Sequence, residues 1–89
     1  MVSWVVQINN PSGLHLRPAG NLCKLAIEFE SNISFKYNDG AGIANVKSVL
    51  SVLGACVKCG DTVEFICEGN DEEEALSRIK ELVKNGLGE

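Results

Sequence analysis

The stretch Asn70-Asp71-Glu72-Glu73-Glu74-Ala75-Leu76-Ser77-Arg78-Ile79-Lys80-Glu81-Leu82-Val83-Lys84-Asn85-Gly86 is the most legible element of the chain. Ala75, Leu76, Ile79, Leu82 and Val83 recur at three- and four-residue spacing, which lays one apolar stripe along an α-helix. Asn70 reads as the N-cap, with Glu73 three residues on in the capping-box position. Acids at 71–74 load the first turn, Arg78, Lys80 and Lys84 load the later ones, and Gly86 stops the helix. The acidic run is thereby explained by helix electrostatics rather than by a metal or partner site. Such a helix must bury its stripe against other elements.

Those elements lie upstream. Val2, Trp4, Val6 and Ile8 alternate as in a half-buried strand, which Asn9-Asn10-Pro11-Ser12-Gly13 ends with turn chemistry. Ala19, Leu22, Cys23, Ala26 and Ile27 then follow helical spacing, with Pro18 suited to the first turn. Ile33, Phe35 and Tyr37 share one face of a second strand. Asn38 to Gly42 predicts a hairpin connection whose glycines permit positive φ, and Ile43 to Val46 the returning strand. Ser48 can cap a short helix carrying Val49, Leu50, Val52 and Leu53, ended by Gly54. Thr62 to Glu68 alternates as a fourth strand. The order is βαββαβα. It predicts an α+β two-layer fold, with four strands in one antiparallel sheet and the helices on one face.

Eighty-nine residues fit one domain over 1–89, with 45% hydrophobic residues for one small core. No apolar run is long enough to cross a membrane, and the N-terminus lacks the pattern of a secretory signal, so the expected location is the cytoplasm. A net charge of −4 argues against general binding to nucleic acid or an anionic membrane. Cys23, Cys56, Cys59 and Cys67 contain a single C-x-x-C pair, Cys56-Val57-Lys58-Cys59, and only one histidine accompanies it. A structural zinc site needs more ligands than that. The expectation is four reduced, mostly packed cysteines, no metal and no cofactor.

Gly13-Leu14-His15-Leu16-Arg17-Pro18-Ala19 carries the chemistry. His15 follows a glycine turn and immediately precedes a helix start, where unpaired backbone N–H groups can receive an anion. Arg17 adds a permanent charge with a planar fork of donors suited to phosphate oxygens. A neutral imidazole nitrogen is a nucleophile. No second histidine is present to act as a base, so the segment points to a transient phosphoryl acceptor rather than a hydrolase.

Gly13-Leu14-His15-x-Arg17-Pro18-Ala19 resembles the active-site signature of HPr, the phosphocarrier family of the sugar phosphotransferase system. The resemblance extends along the chain, to Lys47-Ser48 before the short helix, Gly60-Asp61, Glu68-Gly69-Asn70-Asp71-Glu72 and the ending Gly86-Leu87-Gly88-Glu89. The ending and the Lys-Ser pair look like members from low-GC Gram-positive bacteria. The resemblance implies an open-faced β-sandwich, the sheet backed by three helices. It implies that His15 takes a phosphoryl group from phosphorylated enzyme I and passes it to a sugar-permease IIA domain, with Arg17 steadying the phosphate. The chain would then be a carrier, a substrate of enzymes more than an enzyme.

The resemblance also makes Ser48 a regulatory phosphorylation site for an HPr kinase/phosphorylase. The phosphoserine form would act with catabolite control protein A in catabolite repression. A partner surface is expected from an apolar rim of Leu16, Leu50 and Leu53, ringed by Lys24, Lys47 and Arg17, with one of Leu50 and Leu53 packing into the core. A monomer is the simplest expectation. The chain departs from the family at Leu16, where alanine is usual, in a His15-to-Ser48 interval two residues longer, and at Cys56, where glycine is common. Two alternatives stand beside the carrier: a paralogue that regulates mainly through Ser48, and a cysteine-based metal-binding module of ferredoxin-like order.

Overall fold

The computed structural model describes residues 1–88, so Glu89 of the family-like ending lies outside the described residues. The strands are β1 (Val2–Gln7), β2 (Asn32–Tyr37), β3 (Gly42–Asn45) and β4 (Thr62–Glu68). The helices are α1 (Leu16–Ala26), α2 (Val49–Gly54) and α3 (Glu72–Lys84), followed by a 3-10 turn at Gly86–Gly88. The strands form one antiparallel sheet in the order β1-β4-β2-β3. The expected βαββαβα order and two-layer α+β architecture are both present.

Strand alternation decides which face the helices cover. Trp4 pairs with Phe65, Phe65 with Phe35 and Phe35 with Ala44, so one register row of inward side chains crosses the sheet. Trp4 stacks on Phe65 at 6.2 Å, and Phe65 meets Phe35 edge-on at 5.7 Å, geometries that suit ring quadrupoles. Phe35 and Phe65 are fully buried with Leu22 of α1, Val52 of α2 and Ile79 of α3. Each such side chain contributes about 1.5–3 kcal/mol by leaving water.

Five local readings need correction. Asp71, not Asn70, occupies the N-cap position of α3, and its side chain makes no capping bond. Its carboxylate instead accepts from Glu30 N, Ser31 N and the Ser31 hydroxyl, tying the loop after α1 to the start of α3. Glu72 rather than Glu73 reaches back, accepting from Gly69 N at 3.1 Å. In α1 the buried residues are Pro18, Ala19, Leu22, Leu25 and Ala26, whereas Ile27 lies past the helix end and is exposed. In the hairpin, Asn38 and Asp39 share the positive φ with Gly40, while Gly42 is extended and lies so close to the Tyr37 ring that a Cβ would sit 2.3 Å from it. Of the four cysteines, all free, only Cys67 is buried, and Cys56 and Cys59 are exposed. The C-terminal turn was not foreseen: Leu87 (φ +58) is buried, and its carbonyl accepts from Asn21 Nδ2 at 3.0 Å.

Candidate functional site

Beyond Gln7 the β1–β4 ladder continues for one residue, through Ile8 N to Asp61 O at 2.8 Å and Gly60 N to Ile8 O at 2.7 Å. A turn follows, closed by Gly13 N donating to Asn10 O at 2.9 Å. Gly13 has φ +63 and packs so tightly that a Cβ would lie 2.3 Å from Val57 O and 2.7 Å from Lys58 Cα. Leu14 N then donates to Val57 O at 3.0 Å, and the Leu14 side chain is buried. These contacts fix the backbone on one side of His15.

Helix α1 fixes it on the other. His15 is the N-cap residue, extended at φ −82° and ψ −168°, and its carbonyl accepts the first helical bond, from Ala19 N at 2.9 Å. Its ring does not cap the helix. The first-turn N–H groups of Leu16 and Arg17 have no intrahelical acceptor, and Pro18 at the third position has no N–H to satisfy. The first turn carries no acidic residue. His15, Leu16 and Arg17 are all exposed, and among the described residues no carboxylate lies within ion-pair distance of Arg17. An exposed imidazole thus stands beside two free backbone donors, the positive helix end and a guanidinium. That arrangement can receive a small dianion on or beside the ring.

Ser48 was expected to cap the short helix, and it does: its hydroxyl accepts from Ser51 N at 3.2 Å at the start of α2. The Lys47-Ser48 pair lies against α1, because Cys23 Sγ donates to Lys47 O at 3.1 Å. Cys23 is seven residues past Leu16, so Ser48 flanks α1 about 10 Å along its axis from the His15 end.

The expected partner surface divides. Leu16 is 67% and Leu50 82% exposed, whereas Leu53 is half-buried against the core. Lys24 is exposed. Lys47 is not a free rim cation, since its Nζ donates to Phe29 O at 2.7 Å and closes off the end of the α1 segment. Sequence spacing gave no sign of that bond. Cys56, where the family commonly has glycine, has φ +54, the backbone conformation that glycine favours. Burial pushes the Cys67 thiol up to about 11. Among the described residues no cluster of three or more His, Cys, Asp or Glu is arranged to hold a metal ion, and no helix is long and apolar enough to cross a membrane.

Residues 2–85 match the protein family described as PTS-HPr, the PTS HPr component phosphorylation site. The phosphocarrier protein HPr of Mycoplasma capricolum is 36% identical over 83 residues, which cover 93% of this chain and 91% of that protein. A multiphosphoryl transfer protein of Vibrio cholerae is 40% identical over 84 residues. They cover 93% of this chain but only 21% of that protein, so the chain spans about a fifth of its length. Among solved structures, HPr-C-His from Thermoanaerobacter tengcongensis superposes with a TM-score of 0.93 at 32% identity, covering 100% of this chain and 98% of that one.

Proposed function

The chain belongs to the HPr phosphocarrier family of the phosphotransferase system, and from that premise we propose that His15 is its phosphoryl acceptor. The observation that carries the proposal is the exposed, uncapped N-cap histidine at the start of α1. The imidazole attacks the phosphohistidine of enzyme I, the phosphorus–nitrogen bond of the donor breaks, and the phosphoryl group rests on His15. The Leu16 and Arg17 N–H groups and the Arg17 guanidinium meet the charge that arrives. An acceptor histidine on a sugar-permease IIA domain then takes the group by the same displacement. The chain acts as a carrier of the group between partners, with Leu16, Leu50, Leu53 and Lys24 at the docking surface and Lys47 supporting it from behind. It works as a monomeric domain over 1–89 in the cytoplasm.

Ser48 is a second, regulatory site, served by an HPr kinase/phosphorylase and read by catabolite control protein A. Its support is the position of Ser48 at the start of α2, flanking α1, where an added phosphate puts charge beside the face that enzyme I approaches. The retained His15 and Arg17 favour a carrier over a paralogue confined to Ser48 regulation.

Incubation with enzyme I and phosphoenolpyruvate tests the carrier reading. One acid-labile phosphate per chain is expected on the wild type and none on His15→Ala. Absence of label on the wild type, or equal label on the variant, would refute it.

A further inference from the structure

The pair Cys56-Val57-Lys58-Cys59 has no part in phosphoryl transfer, yet it brackets the backbone that holds the His15 loop. Its two thiols are exposed, Cys59 Sγ donating to Asn9 O at 3.5 Å, while Cys67 is buried and Cys23 is half-buried and donates to the Lys47 carbonyl, so Cys56 and Cys59 are the more accessible of the four. They belong to different local structures. Cys56 ends the α2 segment, its N–H donating to Leu53 O at 3.1 Å. Cys59 lies in the turn closed by Asp61 N donating to Lys58 O at 2.9 Å. Between them Val57 is outside any helix or turn, and Lys58 opens the turn that holds Cys59. The Val57 carbonyl accepts from Leu14 N at 3.0 Å, and Lys58 N is held by the Asp61 carboxylate at 2.9 Å.

We infer that Cys56 and Cys59 form a reversible dithiol–disulfide site whose redox state sets how firmly the His15 loop is held. A disulfide requires Cα atoms about 4.4–6.8 Å apart. Bringing residues i and i+3 that close makes Val57 and Lys58 the corners of a turn, and the peptide whose oxygen is Val57 O becomes its central unit. That peptide must reorient, so its carbonyl leaves Leu14 N. Gly13, in van der Waals contact with the same carbonyl, loses its abutment with it. Reduced, the bracket latches the loop; oxidised, it releases it.

The oxidant is a low-molecular-weight disulfide. The thiolate of one cysteine attacks it, forming a mixed disulfide and releasing one small thiol. The second thiolate then attacks the mixed disulfide, forming the Cys56–Cys59 S–S bond and releasing the second small thiol. The two cysteine protons end on the two released thiols, and two equivalents of thiol reverse the reaction. Exchange of this kind is the transient use of disulfides found in reducing compartments.

The consequence for transfer rests on the reading of His15 as acceptor, so the test has readouts that do not. The full chain is equilibrated with oxidised glutathione and mapped by peptide mass. Expected are the loss of two hydrogens from one Cys56–Cys59 peptide pair and exchange of the Leu14 amide about tenfold faster, the loss of one hydrogen bond. His15 phosphorylation should slow by a similar factor, recover with a dithiol, and be insensitive to oxidant in Cys56→Ser and Cys59→Ser. The inference is overturned if both thiols stay free, if only mixed or intermolecular disulfides form, or if Leu14 keeps its protection in the disulfide form. A reduced protein that takes no phosphate sinks the carrier reading, while the mass and the amide still decide this one.

Discussion

Replacing Gly13 with alanine tests whether the contact between the His15 loop and the α2–β4 loop is rigid. Two costs add. Residue 13 has φ +63, which costs an alanine about 1–2 kcal/mol. The new Cβ would also stand 2.3 Å from Val57 O, so backbone must move by about 1 Å to reach an ordinary contact. That movement breaks the 3.0 Å bond from Leu14 N to the same oxygen, for about another 1 kcal/mol. The total is about 2–3 kcal/mol, or a fall of about 8–24 °C in melting temperature for a domain of this size. Gly40→Ala is the control, because Gly40 has φ +89 with open space where its Cβ would go. It carries the dihedral cost alone, about 1–2 kcal/mol. Thermal unfolding of both variants by circular dichroism separates the terms. If Gly13→Ala melts at or above the temperature of Gly40→Ala, the two loops are not rigidly abutted and the account of how His15 is positioned is wrong.

Three further outcomes are expected. Ser48→Ala loses the acceptor for Ser51 N and should cost about 1 kcal/mol, about 4–8 °C in melting temperature, with phosphate uptake at His15 intact; unchanged melting would show that the cap carries no stability. Asp71 is held below its ordinary value by hydrogen bonds from the Ser31 hydroxyl first, then from the Glu30 and Ser31 amides. A carboxylate with a depressed folded value stabilises fully above its unfolded value and loses that contribution as the pH falls through the folded one. Asp71→Asn should therefore be the less stable protein to urea at pH 7, with the gap narrowing below about pH 4; a gap that widens in acid would reverse the assignment. Leu50→Ala, at a side chain 82% exposed, should leave stability within about 0.5 kcal/mol of wild type. It should raise the KM for phosphoryl transfer from enzyme I about fivefold, and an unchanged KM would remove Leu50 from the docking surface.

What the sequence revealed about the fold was what depends on neighbours three or four residues away. The α3 stripe, strand alternation and the Ser48 cap are local patterns, and each stands where spacing placed it. The misreadings are the long-range ties. Asp71 forgoes capping α3 because Glu30 and Ser31, some forty residues away, offer it three donors, and no local rule knows they will be there. Ile27 continues the α1 periodicity on paper, but the helix ends at Ala26 and turns it outward. Lys47 reads as a free cation until the fold brings the Phe29 carbonyl to it. Leu87 had no periodic partner to betray its burial. The site was more legible than its supports: Gly13, His15, Arg17 and Pro18 fall within six residues of sequence, whereas the carbonyl that holds their loop comes from Val57.

The two candidate phosphorylation positions occupy the same slot in their helices, and the difference between them is instructive. His15 and Ser48 are both extended N-cap residues. An N-cap side chain ordinarily accepts a bond from the first turn and is thereby immobilised. The His15 ring makes no such bond, so the imidazole stays free to attack and the Leu16 and Arg17 donors stay free for the phosphate. The Ser48 hydroxyl is already engaged with Ser51 N. Modification there has to replace that bond, and a phosphate oxygen in the same place can do so, keeping the cap while changing the charge. One slot therefore suits a group that must come and go quickly, and the other a group that should persist once added. On this geometry a phosphate on Ser48 leaves α2 intact and acts through charge on the shared face with α1, so a Ser48→Asp chain should keep its fold while losing its rate with enzyme I.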